Sequence, residues 1–141
     1  MNGEGASAHS GSPTISTAAN LTSNVGNVAI TALANNLTSS NYSFSYANGT
    51  MAITPAALTV TGASTSVTYT GLAQINGVAT VSGQKNSDDF TVSGYGTGTN
   101  YRASAYADNL VATPVAGTLA SNYSISSVSY THLTLPTNRE V

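Results

Sequence analysis

The residues of this 141-residue chain whose types could do chemistry are three aspartates, two histidines and a tyrosine-glycine run. Asp88 and Asp89, with Asp108 downstream, concentrate acid in the second half of the chain. Carboxylate and carbonyl oxygens are what Ca²⁺ prefers, so a weak calcium site is the functional reading. A solvated turn ahead of "FTVSG", with Asp88 satisfying backbone amides, is the structural one. Adjacent carboxylates in an extended segment point to opposite faces, which favours the turn. His9 lies in a Gly/Ser-rich leader and His132 near the C-terminus. There is no cysteine beside either, and the nearby carboxylates follow no ligand spacing, so no zinc site is expected. A Ser-His-Asp set can be composed on paper, but no G-x-S-x-G elbow supports it. "GYGTGTNY" (94–101) lacks the Lys-Ser/Thr ending and following helix of a phosphate loop, and reads as a loop or bulge. The chain is therefore expected to be no enzyme and to hold no cofactor or metal. Tyr95, Tyr101 and Tyr106 are the candidate ligand contacts, because exposed rings with a hydroxyl form platforms for glycans.

Composition sets limits on partners. Only 6% of residues are charged, and Lys85, Arg102 and Arg139 are the whole basic complement of a chain with formal net charge −2. Nucleic-acid binding rests on Lys and Arg neutralising phosphates, and is excluded as a function class. Docking on an anionic membrane fails by the same reasoning, and no apolar run approaches the roughly 20 residues that span a bilayer. The opening "NGEGASAHSGSP" has neither a basic start nor an apolar stretch, so it is not read as a signal peptide. Cysteine is absent, which suits a chain that must stay unfolded while it crosses an outer membrane.

With 40% hydrophobic residues and abundant Val, Ile, Thr and Tyr, the chain is built for strands. Val28, Ile30 and Ala32 share one face of "NVAITAL"; Tyr42, Phe44 and Tyr46 share one face of "NYSFSYA", which reads as core. Asn48-Gly49 then precedes "TMAIT", predicting a type I′ hairpin. After Pro55, "LTVTG" starts a new strand with Leu58 and Val60 inward. Further strands are expected at "SVTYT" (66–70), "GVATVSG" (77–83), "DFTVSG" (89–94), "YRASAY" (101–106), "NLVAT" (109–113) and "NYSIS" (122–126). No sustained 3.6-residue period appears, and the two asparagines of "TALANNL" (31–37) argue for a turn. Asn-x-Ser/Thr at Asn20, Asn36, Asn41, Asn48 and Asn122 reflects Asn-rich turns rather than glycans.

The chain repeats itself. "SNYSFS" from Ser40 returns as "SNYSIS" from Ser121, an offset of 81. A unit of about 80 residues that ends on the same closing strand each time explains the doubling. Residues 1–56 are then the closing part of one repeat, 57–128 a nearly complete second repeat, and the whole a piece of a longer array.

"SPTISTAANLTSNVGNVAITA", "LTSSNYSFSYANGTMAITPAALTVT" and "ATVSGQKNSDDFTVSGYGTGTNYRASAYADNL" resemble, in order and spacing, the MBG/YDG-type repeats of filamentous-haemagglutinin-like bacterial adhesins. "TYTG" sits where that family carries a Tyr-x-Gly signature, and the likeness spans roughly residues 12–127. It brings no catalytic residues. It implies a repeated β-rich segment of a secreted protein at the bacterial, outer-membrane-associated cell surface. Neighbouring repeats of the same polypeptide, and surface glycans or host proteins, are the implied partners. The departure is at the end, where "VSYTHLTLPTNREV" replaces the first unit's "NGTMAITPA". Residues 129–141 resemble translated sequencing-adapter read-through and are read as a non-native tail. The alternative is a diverged closing strand, with Thr131 under Thr50 and Pro136 under Pro55. Either way, Leu133 and Leu135 alternate, so the tail can occupy a strand position.

The expected fold is all-β, a small Ig-like β-sandwich, because short alternating strands need a second layer to bury their apolar faces. The alternative is a β-grasp-like module with one short helix. The expected function is a stalk or spacer repeat of a bacterial adhesin. A glycan- or host-surface-binding module using 94–106 is the second reading.

Overall fold

β-Branched and small polar residues alternate along most of the chain, and in the computed structural model, which describes residues 8–100, 106–129 and 133–134, the protein is all-β. The described residues contain a 3-10 turn at Ala120–Asn122 and no α-helix, so the helix of the β-grasp alternative is not among them. Several small sheets accord with a small β-sandwich. The chain divides into two compact units, Met1–Thr54 and Pro55–Val141.

In the first unit, β1 (Thr14–Thr17), β2 (Gly26–Leu33) and β3 (Gly49–Ile53) form an antiparallel sheet in that order. Val28 faces Met51 and Ile30 faces Gly49 across β2 and β3. The alternation of β2 is real: Val28, Ile30 and Ala32 are half-buried, and Asn27 and Ala29 are exposed. "TALANNL" breaks after Leu33 into the expected turn, with Asn35 at φ 49° and the Leu37 amide donating to the Ala34 carbonyl at 2.9 Å. No described residue of this unit is fully buried.

The hairpin expected at Asn48-Gly49 does not form. Neither residue takes the positive φ that a type I′ turn requires. Asn48 instead accepts the Ala32 amide on Oδ1 at 3.1 Å, beyond the end of the β2–β3 ladder, and Gly49 begins β3. The partner of β3 is β2, already paired with β1, so a preformed edge outcompetes the local turn. "NYSFSYA" is consequently no strand: residues 42–48 lie outside every sheet, and Tyr42, Phe44 and Tyr46 are exposed rather than core.

The second unit contains β4 (Ala56–Gly62), β5 (Thr65–Ser66), β6 (Gln74–Ile75), β7 (Ala79–Ser82), β8 (Phe90–Ser93), β9 (Thr97–Gly98), β10 (Val111–Pro114), β11 (Tyr123–Val128) and β12 (Leu133–Thr134). β4 is central, with β11 parallel on one side and β7 antiparallel on the other. Its inward residues Leu58 and Val60 are 0% exposed, as the alternation requires. β8 pairs with β10, β6 with β9, and β12 runs parallel to β5. The strand expected at 66–70 is reduced to Thr65–Ser66, and Tyr69 is exposed. The strand expected at 101–106 falls largely on residues outside those described, and Tyr106 itself is in no strand.

The core is Leu58, Phe90 and Tyr123, with Ala56, Val81 and Ala112 packed against it. Phe90 and Tyr123 meet edge-on, centroids 5.2 Å apart at 89°, an arrangement that adds about 0.5–1.5 kcal/mol to simple burial. Tyr123 also closes the turn that feeds β8. Its hydroxyl donates to Asp88 Oδ2 at 2.6 Å and accepts the Lys85 amide at 2.9 Å. That turn places Asn86 at φ 55° and Gly83 at φ 100°, where a Cβ on Gly83 would lie 2.2 Å from the Ala57 carbonyl oxygen. Only glycine fits there.

Burial, and after it the bond to Asp88, raises the Tyr123 hydroxyl above its ordinary value of 10.0. A raised folded-state value stabilises the fold fully below pH 10.0, and the benefit is lost as pH climbs through the raised value. Tyr123→Phe should therefore cost about 1–3 kcal/mol at neutral pH, because it orphans two polar partners. The gap between wild type and variant, measured by urea denaturation across pH, should stay constant to about pH 10 and narrow above it.

Candidate functional site

The tyrosine-glycine loop is positioned by a buried polar network. Asp108, 6% exposed, accepts the Gly96 amide on Oδ1 at 2.6 Å and the Asn76 side-chain amide on Oδ2 at 2.9 Å. Asn76 is fully buried, and its Nδ2 also donates to the Ala63 carbonyl at 2.8 Å. Thr65 Oγ1 donates to Asn76 Oδ1. Backbone bonds run beside these: Asn76 to the Gly96 carbonyl at 2.9 Å, and Asn109 to the Gly94 carbonyl at 2.7 Å. Four separate stretches, at 63–65, 76, 94–96 and 108–109, are thereby tied together. No buried side-chain polar atom among the described residues lacks a partner. A carboxylate in such a place is tolerated because two donors meet it.

On this frame sit two of the three expected ligand contacts. Tyr95 and Tyr106 are half-buried, where the loop-rich sequence suggested exposed rings; Tyr101 lies outside the described residues. The Tyr106 ring covers Gly98 so closely that a Cβ there would meet it at 2.0 Å, and its hydroxyl donates to the Asn100 carbonyl at 2.9 Å. Ala73, Thr97, Gly98, Thr99 and Tyr106 line an open cleft of about 240 Å³. The loop is folded onto itself by its own aromatic residue, and what remains accessible is a shallow surface with two threonines beside a ring.

The acidic residues separate by role. Asp88 accepts the Tyr123 hydroxyl, Asp89 Oδ1 accepts the Phe90 amide at 2.8 Å, and Asp108 belongs to the network above. The turn reading is right in outline, but it is Asp89, not Asp88, whose carboxylate serves the backbone. No cluster of three or more His, Cys, Asp or Glu suited to a metal occurs among the described residues. His9 is exposed, 6.4 Å from the Phe44 ring, in a cleft of about 360 Å³ whose other lining residues are Ala8, Ser10, Thr38, Ser39 and Ser40. Among the described residues that lining carries no carboxylate to activate the imidazole. His132 lies outside the described residues.

Residues 1–52 match the family model of the MBG domain, YGX type. The match supports an MBG-type repeat over those residues. No curated protein and no solved structure gives a significant match. The MBG match covers β1, β2 and most of β3, and takes in the first "SNYS" copy; the tyrosine-glycine loop lies outside it.

Asn76 was not legible as a site residue, since in "QINGV" it reads as an ordinary Asn-Gly turn. Asp108 stood out only as part of the acidic count. Asp108→Ala leaves the Gly96 amide and the Asn76 side chain without acceptors, and should cost about 3 kcal/mol. Urea denaturation measures that loss, and hydrogen exchange should show the Gly96 amide among the most accelerated. An unchanged Gly96 rate would mean the carboxylate does not hold the loop.

Proposed function

We propose that the protein is a structural repeat in the stalk of a secreted, surface-displayed bacterial adhesin, with its chemistry left to other parts of the polypeptide. The doubled closing segment carries this reading. Each "SNYS" copy follows an antiparallel strand pair, β1–β2 in the first unit and β8–β10 in the second. An antiparallel strand pair ahead of "SNYS" thus recurs in a chain whose residues 1–52 match the MBG family model. Each unit adds length through β-structure whose surface is mainly Ser, Thr, Asn and Gly, so solubility rests on neutral hydrogen bonding. Antibodies raised against the purified chain should label intact producing cells, and external protease should remove the label. Labelling that appears only after lysis would end the surface reading.

The second reading, a glycan-binding module, draws on the open cleft beside Tyr106. Two threonine side chains and an aromatic ring are suitable sugar contacts. If it is right, the chain binds on a glycan array and Tyr95→Ala with Tyr106→Ala abolishes the signal. If the stalk reading is right, wild type and double variant are equally silent.

A further inference from the structure

Asparagine followed by glycine can modify itself, because glycine has no side chain to keep its amide nitrogen away from the asparagine carboxamide. The pair occurs at Asn2, Asn48 and Asn76. Asn2 lies outside the described residues, and the other two stand in opposite surroundings. Asn48 is exposed and in no strand, and Gly49 is the terminal residue of the β2–β3 ladder, paired with Ile30. Asn48 Oδ1 accepts the Ala32 amide at 3.1 Å. Asn76 is fully buried, and both ends of its carboxamide are held. Its Nδ2 donates to Asp108 Oδ2 at 2.9 Å and to the Ala63 carbonyl at 2.8 Å, and its Oδ1 accepts the Thr65 hydroxyl. Crowding at the glycine does not distinguish the two sites. A Cβ on Gly77 would meet nothing within 4 Å, and one on Gly49 would touch Ile30 at an ordinary 3.7 Å.

We propose that Asn48-Gly49 is a site of spontaneous covalent modification, converting to aspartate and isoaspartate through a cyclic imide, and that the network around Asn76 protects the same dipeptide in the second unit. In the first step the Gly49 nitrogen gives its lone pair to Asn48 Cγ. The N–Cγ bond forms, the Cγ–Nδ2 bond breaks, and Nδ2 leaves as ammonia with the proton of the Gly49 amide. Water then opens the imide. Cleavage at Cγ gives aspartate; cleavage at the main-chain carbonyl gives isoaspartate, whose backbone is one methylene longer. At Asn48 the Ala32 amide already faces Oδ1, the atom that takes up negative charge when Cγ becomes tetrahedral, and a donor placed there stabilises that charge. Only the last pair of the ladder has to fray to free the Gly49 nitrogen, and strand ends open at low cost. The Asn76 carboxamide, by contrast, cannot swing over the Gly77 nitrogen without breaking its bonds to Asp108, Ala63 and Thr65 in a place closed to water. The inference goes beyond the stalk reading and holds wherever the protein is located.

The test incubates the full-length chain at mildly alkaline pH, where loss of the glycine amide proton speeds the first step. Each asparagine is followed by peptide mapping and mass spectrometry, with isoaspartate resolved from aspartate by fragmentation. Asn48 should convert at least about tenfold faster than Asn76, because the buried site must first open against its hydrogen bonds. In denaturing urea the two should convert at comparable rates, which assigns the difference to the fold. Gly49→Ala, which has room for its methyl group, should remove most of the Asn48 product and leave the strand signal in circular dichroism unchanged. Asp108→Ala should accelerate conversion at Asn76. Equal rates in the folded chain, or a faster rate at Asn76, would overturn the proposal. So would a difference that persists in urea, an undiminished Asn48 product in Gly49→Ala, or an Asn76 rate unmoved by Asp108→Ala. The comparison within the unsubstituted chain decides the matter whether or not the Asp108 variant folds. Surface labelling of cells is unaffected by any of these outcomes, so failure here and failure of the stalk reading are separable.

Discussion

The second unit depends on β4 having a neighbour on each side. An extended backbone presents amides and carbonyls on both edges, and burying it without partners costs as much as the lost hydrogen bonds. β11 and β7 satisfy those edges, and this allows Leu58 and Val60 to be wholly withdrawn from water. Phe90 and Tyr123 then close over Leu58, and the Tyr123 hydroxyl reaches out to fasten the Lys85–Asp88 turn. Backbone pairing, apolar burial and turn closure are one connected arrangement. The first unit shows the converse: β2 also has two partners, but nothing described covers its apolar face, and its best residues stay half-buried.

How legible this was depends on the range of the forces involved. The alternations that place Leu58, Val60, Val28 and Ile30 inward are local properties of side-chain period, and they survive folding. So does the turn after Leu33, because asparagine tolerates the left-handed region. Asn48-Gly49 misled for a physical reason. Its turn propensity is worth little beside an existing strand edge, and β3 went to β2. The short pairs β6–β9 and β5–β12 carry no sequence period at all, being two residues long. The loop site was half legible. Tyr95 and Tyr106 could be named from composition, but the frame that holds their loop joins Asp108 to Gly96 and to the distant Asn76, and the Tyr106 ring lies over Gly98.

A chain with so few charges must build polar specificity from neutral groups, and the network around Asn76 shows how. One buried carboxylate is surrounded by a backbone amide and a side-chain amide, and that amide is held in turn by a carbonyl and a threonine hydroxyl. The geometry demands that each member be present, since a half-satisfied network is worse than an apolar one. This explains why a fold with a core of three large side chains still orders a glycine-rich loop: the loop is held by hydrogen bonds, where a larger domain would use hydrophobic contacts.

Repetition adds a constraint that single domains do not face. If every closing segment carries the same residues, each must find an equivalent partner strand, and the parallel pairing of β11 with β4 joins residues more than 60 positions apart. Parallel partners cannot be supplied by a tight turn; they come from across a module or from another one. The first copy, residues 42–47, is in no sheet, so the residues that the two copies share do not by themselves make a strand; pairing with β4 makes the second copy one.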